Sequence, residues 1–285
     1  MNTQRKTVVI TGAHSPLGRR ILAEFTTASK YMVYGFVTPW AELPESHSNS
    51  PFLKFISADL TKPLEAGINE IIGQAEAIFH FAWLRGDDET AVLSANEAII
   101  HHIMAPLRNK SRFYFMSSVA ASPGAMSIYG QTKFRASTVV RATGGTVLVL
   151  GLVTDTAPAG AYKTLVKLVR SLPFSFRSKG SDVCIYPLPT PTLARVLIQL
   201  VENPLAAGTY NVFEQKDSLN NFLTSLERNF PRFRIRLNFH AENIVKMTNR
   251  LRRSKIFPKR LADKVLTFLM KEDDYLQKFP SLPHQ

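Results

Sequence analysis

The sequence predicts an α/β fold: a doubly wound parallel sheet covered by helices, with a smaller C-terminal lobe. Three observations carry this reading. Short β-branched runs alternate with amphipathic stretches through the first half. A tight turn, Thr11-Gly12, joins the first such run to the first helical pattern. A polar constellation, Ser117-Ser118 and then Tyr129 and Lys133, follows the fifth run.

Lys6 to Ile10 reads as a buried strand. Leu17, Ile21, Leu22 and Phe25 then recur at helical spacing. Tyr31 to Val37 is the second strand, Phe52 to Ser57 the third and Ala77 to Trp83 the fourth. Asp88 to Leu107 is a long helix; its adjacent His101 and His102 do not share a face, so they are read as structural and no metal site is expected. Arg112 to Met116 and Thr146 to Leu150 complete six strands. Beyond them the reading gives helices at Lys163–Leu172, Thr192–Val201, Asp217–Leu226 and Lys246–Met270, the last broken at Pro258. Short strands are read at Val183–Tyr186 and Gly208–Phe213, and Arg232–Phe239 alternates like an edge strand. The domain reading is a core over 1–155, to which later segments return, and a lobe with a basic helical C-terminus over 156–285.

The bulk composition fits a globular chain of 285 residues with 45% hydrophobic content. No apolar run is long enough to span a membrane, and the N-terminus lacks a secretory pattern. Cys184 is the single cysteine, so no internal disulfide can form, and a cytoplasmic location is expected. The net charge of +13 is concentrated between Arg228 and Arg260, where eleven Lys/Arg stand against Glu242 alone. Three readings of that run stay open. It is a solvated face or an electrostatic funnel for a diphosphate, a contact to an anionic inner membrane surface, or, least favoured, a nucleic-acid contact. No stacking platform or nucleic-acid motif accompanies it.

Thr11-Gly12-Ala13-His14-Ser15-Pro16-Leu17-Gly18 has the character of a turn that points a helix N-terminus at a pyrophosphate. A strand, a Gly-containing turn and a helix in that order suggest a Rossmann-type dinucleotide site. The second strand ends near Thr38 without the acid that would bind a ribose 2′-hydroxyl. Arg19 and Arg20 follow the turn and lean the cofactor reading from NAD towards NADP. Tyr129 and Lys133 lie one helical turn apart on one face. A phenol titrates near pH 10, and a cation beside it lowers that value, so the pair forms a general acid/base with Ser118 holding the same substrate oxygen.

On these segments, with Ala58-Asp59-Leu60, His80-Phe81-Ala82, Asn96 and Ala207 to Val212, the chain resembles the extended short-chain dehydrogenase/reductases. These include NAD(P)-dependent epimerases and dehydratases of nucleotide sugars. The resemblance spans roughly residues 5–215. It implies a catalytic set of Ser118, Tyr129 and Lys133, with Lys133 also bonding the nicotinamide ribose. It implies a cofactor set of Gly12, His14, Ser15, Pro16, Leu17, Gly18, Thr38, Asp59, Leu60, Phe81, Ala82, Trp83, Tyr129, Lys133, Gly151 and Leu152. Asp59 and Leu60 would flank adenine, Phe81 to Trp83 would line the nicotinamide wall, and Arg85 and Ser118 would meet substrate.

The departures narrow the expectation. Ser15 replaces a glycine of the turn, Leu152 replaces a polar substrate contact, and Pro191-Thr192 stands where an acidic pair is usual. No Asp-Glu pair follows Ser118, which disfavours sugar dehydration. A nucleotide-sugar 4-keto reductase or epimerase is therefore expected, the compact lobe favouring reduction. The alternative is a non-catalytic NAD(P)-binding sensor. A homodimer is also left open.

Overall fold

Lys6–Thr11 (β1) is the central strand, and the chain builds outwards from it in both directions. Pro16–Thr27 (α1) follows, then Tyr31–Val37 (β2), Leu53–Ser57 (β3), Ala66–Gly73 (α2), Ala77–His80 (β4) and Glu89–Met104 (α3). Phe113–Ser118 (β5), Ile128–Ala142 (α4) and Thr146–Leu150 (β6) complete the first half. The computed structural model describes residues 5–41, 50–179, 183–213, 216–231, 235–252, 263–267 and 273–282.

The second half begins with Leu152–Thr154 (β7) and Gly160–Ser171 (α5). Phe174–Lys179 (β8), Cys184–Ile185 (β9), Pro187–Pro189 (β10) and Thr190–Glu202 (α6) follow. Then come Thr209–Val212 (β11), Asp217–Ser218 (β12), Leu219–Arg228 (α7), Ile235–His240 (β13) and Ala241–Arg252 (α8). A short helix at Asp273–Leu276 precedes the C-terminal tail.

The main sheet has seven parallel strands in the order β11-β6-β5-β4-β1-β2-β3. This is the doubly wound Rossmann-type arrangement expected from the alternating pattern, and its order reverses between β1 and β4. Successive residues of a strand face opposite sides. Val8 and Ile10 therefore join one core with Ile21, Leu22 and Phe25 of α1 and Leu193 and Leu197 of α6. Val9 joins the other, with Ile99 and Ile103 of α3 and Val140 of α4. Burial on both faces explains the continuous apolar runs in the sequence.

Two late segments return to this sheet. Helix α6 packs against α1, and β11 extends the sheet beside β6. The tail then locks β11: Asn211 Nδ2 donates to the carbonyls of Leu276 (2.8 Å) and Phe279 (3.0 Å). A separate apolar cluster holds the lobe, with Leu165 and Val169 of α5 against Leu219, Leu223 and Leu226 of α7. Beside it, β8 and β13 form a parallel pair.

Several boundaries differ from the sequence reading. The fourth strand ends at His80, and Phe81 to Trp83 form a loop. The expected strand over Val183–Tyr186 is two residues long, and Asp217-Ser218 pairs with it antiparallel before the next helix starts. Asp88 is the N-cap of α3, accepting from Ala91 N at 3.0 Å. Of the basic run, Arg232, Arg234, Arg253, Lys255, Lys259 and Arg260 lie outside the described residues. No helix among the described residues is long and apolar enough to cross a membrane.

His80 makes folding pH-dependent in a defined direction. It is fully buried between Phe113 and Phe115, with ring centroids 5.3 and 5.9 Å away. Burial, and then the nearby Lys133, push its pKa from 6.5 down to about 3. The folded state thus keeps the imidazole neutral while the unfolded chain protonates it below about pH 6.5. The stability it supplies is complete above that value and is lost as pH falls towards 3. Between pH 7 and 5 this one group should cost about 2 kcal/mol of unfolding free energy. Urea unfolding at both values should show wild type losing about that much more than His80→Phe.

Candidate active site

The strand order reverses at β1 and β4, and both strands end at the same level, with Thr11 registered against His80. Open α/β sheets bind ligands in the crevice beyond such ends. Thr11 Oγ1 ties the two strands together. It lies 2.8 Å from His80 Nδ1 and accepts from Ala82 N at 3.2 Å.

The turn after β1 is shaped by its glycines. Gly12 has φ of +67°, and a Cβ there would lie 2.7 Å from Ala82 N. A Cβ at Gly18 would lie 2.4 Å from the Gly12 carbonyl oxygen, so α1 starts in direct contact with the turn. Ser15, in the place of a glycine, is the N-cap of α1 and accepts from Gly18 N at 3.0 Å. Pro16 opens the helix and has no N–H to offer, so the N–H of Leu17 is the first at the helix mouth.

The fit of a dinucleotide here can be tested on the polar atoms. His14 Nδ1 and Thr38 Oγ1, on the loops after β1 and β2, are buried and have no protein partner. Buried polar atoms of this kind are normally satisfied, so two of them beside a helix mouth suit a polar ligand. Burial, and then Arg19, hold the His14 imidazole below its usual range. Arg19 is thus beside this pocket. Arg20 is not: it pairs with Asp155 at 2.5 Å and donates to the Ala157 carbonyl, which removes it from the argument for a 2′-phosphate.

Of the residues expected beside adenine, Asp59 accepts through its carboxylate from Thr61 Oγ1 (2.6 Å) and Thr61 N (3.1 Å) in a closed turn. Those bonds hold its pKa low. Leu60 is buried beside it. Gly151 packs on the Tyr186 backbone, where a Cβ would lie 2.1 Å from the Tyr186 oxygen. Leu152 donates its N–H to that same oxygen and turns its side chain to the lobe core.

Ser118, Tyr129 and Lys133, the set expected to be catalytic, sit at the end of β5 and in the first half of α4. Ser127 caps α4, its Oγ accepting from Gly130 N at 3.0 Å. Tyr129 is the second helical residue and Lys133 follows one turn later. Burial raises the proton affinity of Tyr129; Arg85 and a hydrogen bond with Ser118 oppose it. Arg85 lies over the Tyr129 ring, 5.3 Å from its centroid.

Lys133 is buried at the end of β5. Its Nζ donates to the Met116 carbonyl at 2.7 Å and lies 3.9 Å above the Trp83 ring and 4.4 Å above Phe115. Burial, and then Arg85, drive its pKa well below 10.5. Arg85 is a cation over the Tyr129 ring, and Lys133 bonds the strand-end carbonyl between two aromatic faces.

No protein-family model and no curated protein matches the chain. Solved structures do. It is similar to the terminal R domain from the myxalamid PKS-NRPS biosynthetic pathway, at 17% identity over 96% of this chain and 80% of that one, with a TM-score of 0.66. It is also similar to two Bordetella bronchiseptica enzymes. WbmH, in complex with NAD+, matches at 15% identity over 96% of this chain and 99% of that one, with a TM-score of 0.64. WbmG, in complex with NAD and UDP, matches at 15% identity over 98% and 99%, also with a TM-score of 0.64. The chain shares their fold.

Two site features were missed from sequence. Asp263 accepts from Ile128 N (2.5 Å) and Tyr129 N (3.4 Å), so a C-terminal carboxylate caps the helix that carries Tyr129. It is an acid just beyond the basic run, and no local motif marks it. Asn96, a resemblance motif without an assigned role, clamps Leu84 from both sides. Its Oδ1 accepts from Leu84 N and its Nδ2 donates to Leu84 O, each at 3.0 Å.

Proposed function

We propose that the chain is an NAD(P)-dependent enzyme of the extended short-chain dehydrogenase/reductase kind that reduces or epimerises a nucleotide-activated sugar. The observation that supports this is that two independent motifs lie at the same edge of the central sheet. The turn from Gly12 to Gly18 and the constellation of Ser118, Tyr129 and Lys133 both lie at the C-terminal ends of central strands. The fold likeness to proteins solved with NAD, and in one case with UDP as well, supports the same reading.

When bound, a nicotinamide would supply or accept hydride at the sugar carbon. The chain's own residues would manage the proton and the geometry. Ser118 would donate a hydrogen bond to the sugar oxygen and hold it against Tyr129. In the reducing direction the Tyr129 hydroxyl would give its proton to that oxygen as the carbonyl becomes a carbinol. Two N–H donors of Lys133 beyond the one used by Met116 would serve the nicotinamide ribose. His14, Thr38 and the mouth of α1 would take the adenosine and phosphate end, with Asp59 and Leu60 beside adenine. Arg19 keeps a lean to NADP. Residues from 156 onwards, other than α6, β11 and the tail, would form the substrate lobe.

A second reading, a cofactor-binding sensor without catalysis, is favoured by the inward turn of Lys133 and by the apolar Leu152 packed into the lobe core. One experiment separates the two. Purified protein with oxidised or reduced NAD or NADP is offered UDP-hexoses and UDP-linked 4-keto sugars respectively, and nicotinamide absorbance and sugar epimers are followed. Turnover supports the enzyme; dinucleotide binding without turnover of any of them supports the sensor.

A further inference from the structure

We propose that the lobe docks on an anionic lipid bilayer through a surface formed by α5, β13 and α8. This surface is independent of the chemistry at Tyr129 and of the dinucleotide.

Two properties that a solvated surface does not need together meet on these elements. The first is positive charge without partners. Arg177 and Lys216 of the lobe are held by Glu227 (2.6 Å) and Asp273 (2.7 Å). Lys163, Lys167 and Arg170 of α5, Arg236 of β13, and Lys246 and Arg250 of α8 are exposed, and among the described residues none of these six is in an ion pair. Glu242 is the one acid on the three elements. The second property is exposed apolar surface. Of the seven large apolar side chains exposed among the described residues, four are on these three elements: Leu168, Ile235, Leu237 and Met247. Ile235 and Met247 are each 53% exposed.

The backbone sets the two kinds of residue side by side. In α8, Ala241, Val245 and Thr248 are buried, and Lys246, Met247 and Arg250 occupy the opposite side of the helix. On β13, Ile235 and Leu237 share one side with Arg236 between them, and among the described residues β13 pairs with β8 alone. Basic side chains draw a protein to anionic headgroups, and apolar ones beside them then enter the boundary with the acyl chains.

Other occupants fit less well. A second copy of a chain with net charge +13 would bring like charge against this surface. A nucleic acid would stack its bases on aromatic side chains, whereas the exposed apolar residues here are Leu, Ile and Met.

The test is flotation of the full chain with two vesicle preparations: phosphatidylcholine alone, and roughly seven parts phosphatidylcholine to three of phosphatidylserine. Wild type should float with the anionic vesicles and stay behind with the neutral ones. Each basic residue near an anionic surface strengthens binding about fivefold, so the combined variant Arg236→Gln, Lys246→Gln, Arg250→Gln should bind about 100-fold more weakly. The combined variant Ile235→Ser, Leu237→Ser, Met247→Ser keeps every charge and should bind at least about tenfold more weakly. All six side chains are exposed, so both variants should unfold at the wild-type urea midpoint. No flotation with anionic vesicles, or equal flotation with both preparations, overturns the proposal, as does full binding by either variant. Wild type that ignores the anionic vesicles and instead binds a single-stranded RNA oligonucleotide assigns the surface to nucleic acid and also overturns it.

Discussion

Replacing Tyr129 with phenylalanine is expected to lower turnover by about 100- to 10,000-fold, the usual range for a lost general acid/base. The substitution removes one oxygen and keeps the ring, so Arg85 retains its aromatic face and α4 keeps its Ser127 and Asp263 caps. Dinucleotide affinity should therefore change little, and the loss should fall on kcat and kcat/KM together. Steady-state rates on whichever nucleotide sugar wild type turns over, with a parallel dinucleotide titration, check this. Unchanged turnover would remove Tyr129 from the chemistry.

The second large effect is expected at Gly12→Val. Gly12 has a positive φ, which a β-branched residue adopts only under strain. Its Cβ would also press on the Phe81–Ala82 backbone: 2.7 Å from Ala82 N, 2.9 Å from Ala82 Cα and 3.0 Å from the Phe81 carbonyl carbon. Backbone cannot give way as a side chain can. Strain and overpacking together should cost about 3 kcal/mol or more of unfolding free energy. That is a large share of the roughly 5–15 kcal/mol that holds a typical domain together. The same shift would separate the turn from the loop Phe81–Trp83, so the fraction that folds should bind dinucleotide at least about tenfold more weakly, a loss of 1.4 kcal/mol. Urea unfolding and a dinucleotide titration measure the two losses separately.

What could be read from the sequence follows from the range of the forces involved. Strands such as β4 and β6 are marked by local composition, because a parallel strand buried on both faces must be largely apolar. The turn at Gly12 and the helix at Tyr129 are local too, since each is set by residues within one turn of itself. Partners across the fold are different. Lys133 finds Met116, 17 residues back; Arg20 finds Ala157, 137 residues on; and Asp263 finds Ile128, 135 residues back. No spacing rule connects such pairs. The consequence was specific: one of two arginines expected near a 2′-phosphate is occupied by Asp155. In the second half, β9 and β12 are two residues each, too short to carry a period, and their pairing came only from the packed lobe.

The central claim is that a reduced dinucleotide lies along β1 and β4 with its nicotinamide beside Trp83. The chain has two tryptophans, and Trp40 is exposed at 73%. In Trp40→Phe, Trp83 becomes the only tryptophan. Exciting it while titrating NADH or NADPH should quench its emission and raise nicotinamide emission by energy transfer, saturating below about 1 mM. Trp83 emission unchanged up to that concentration with both dinucleotides would contradict the assignment.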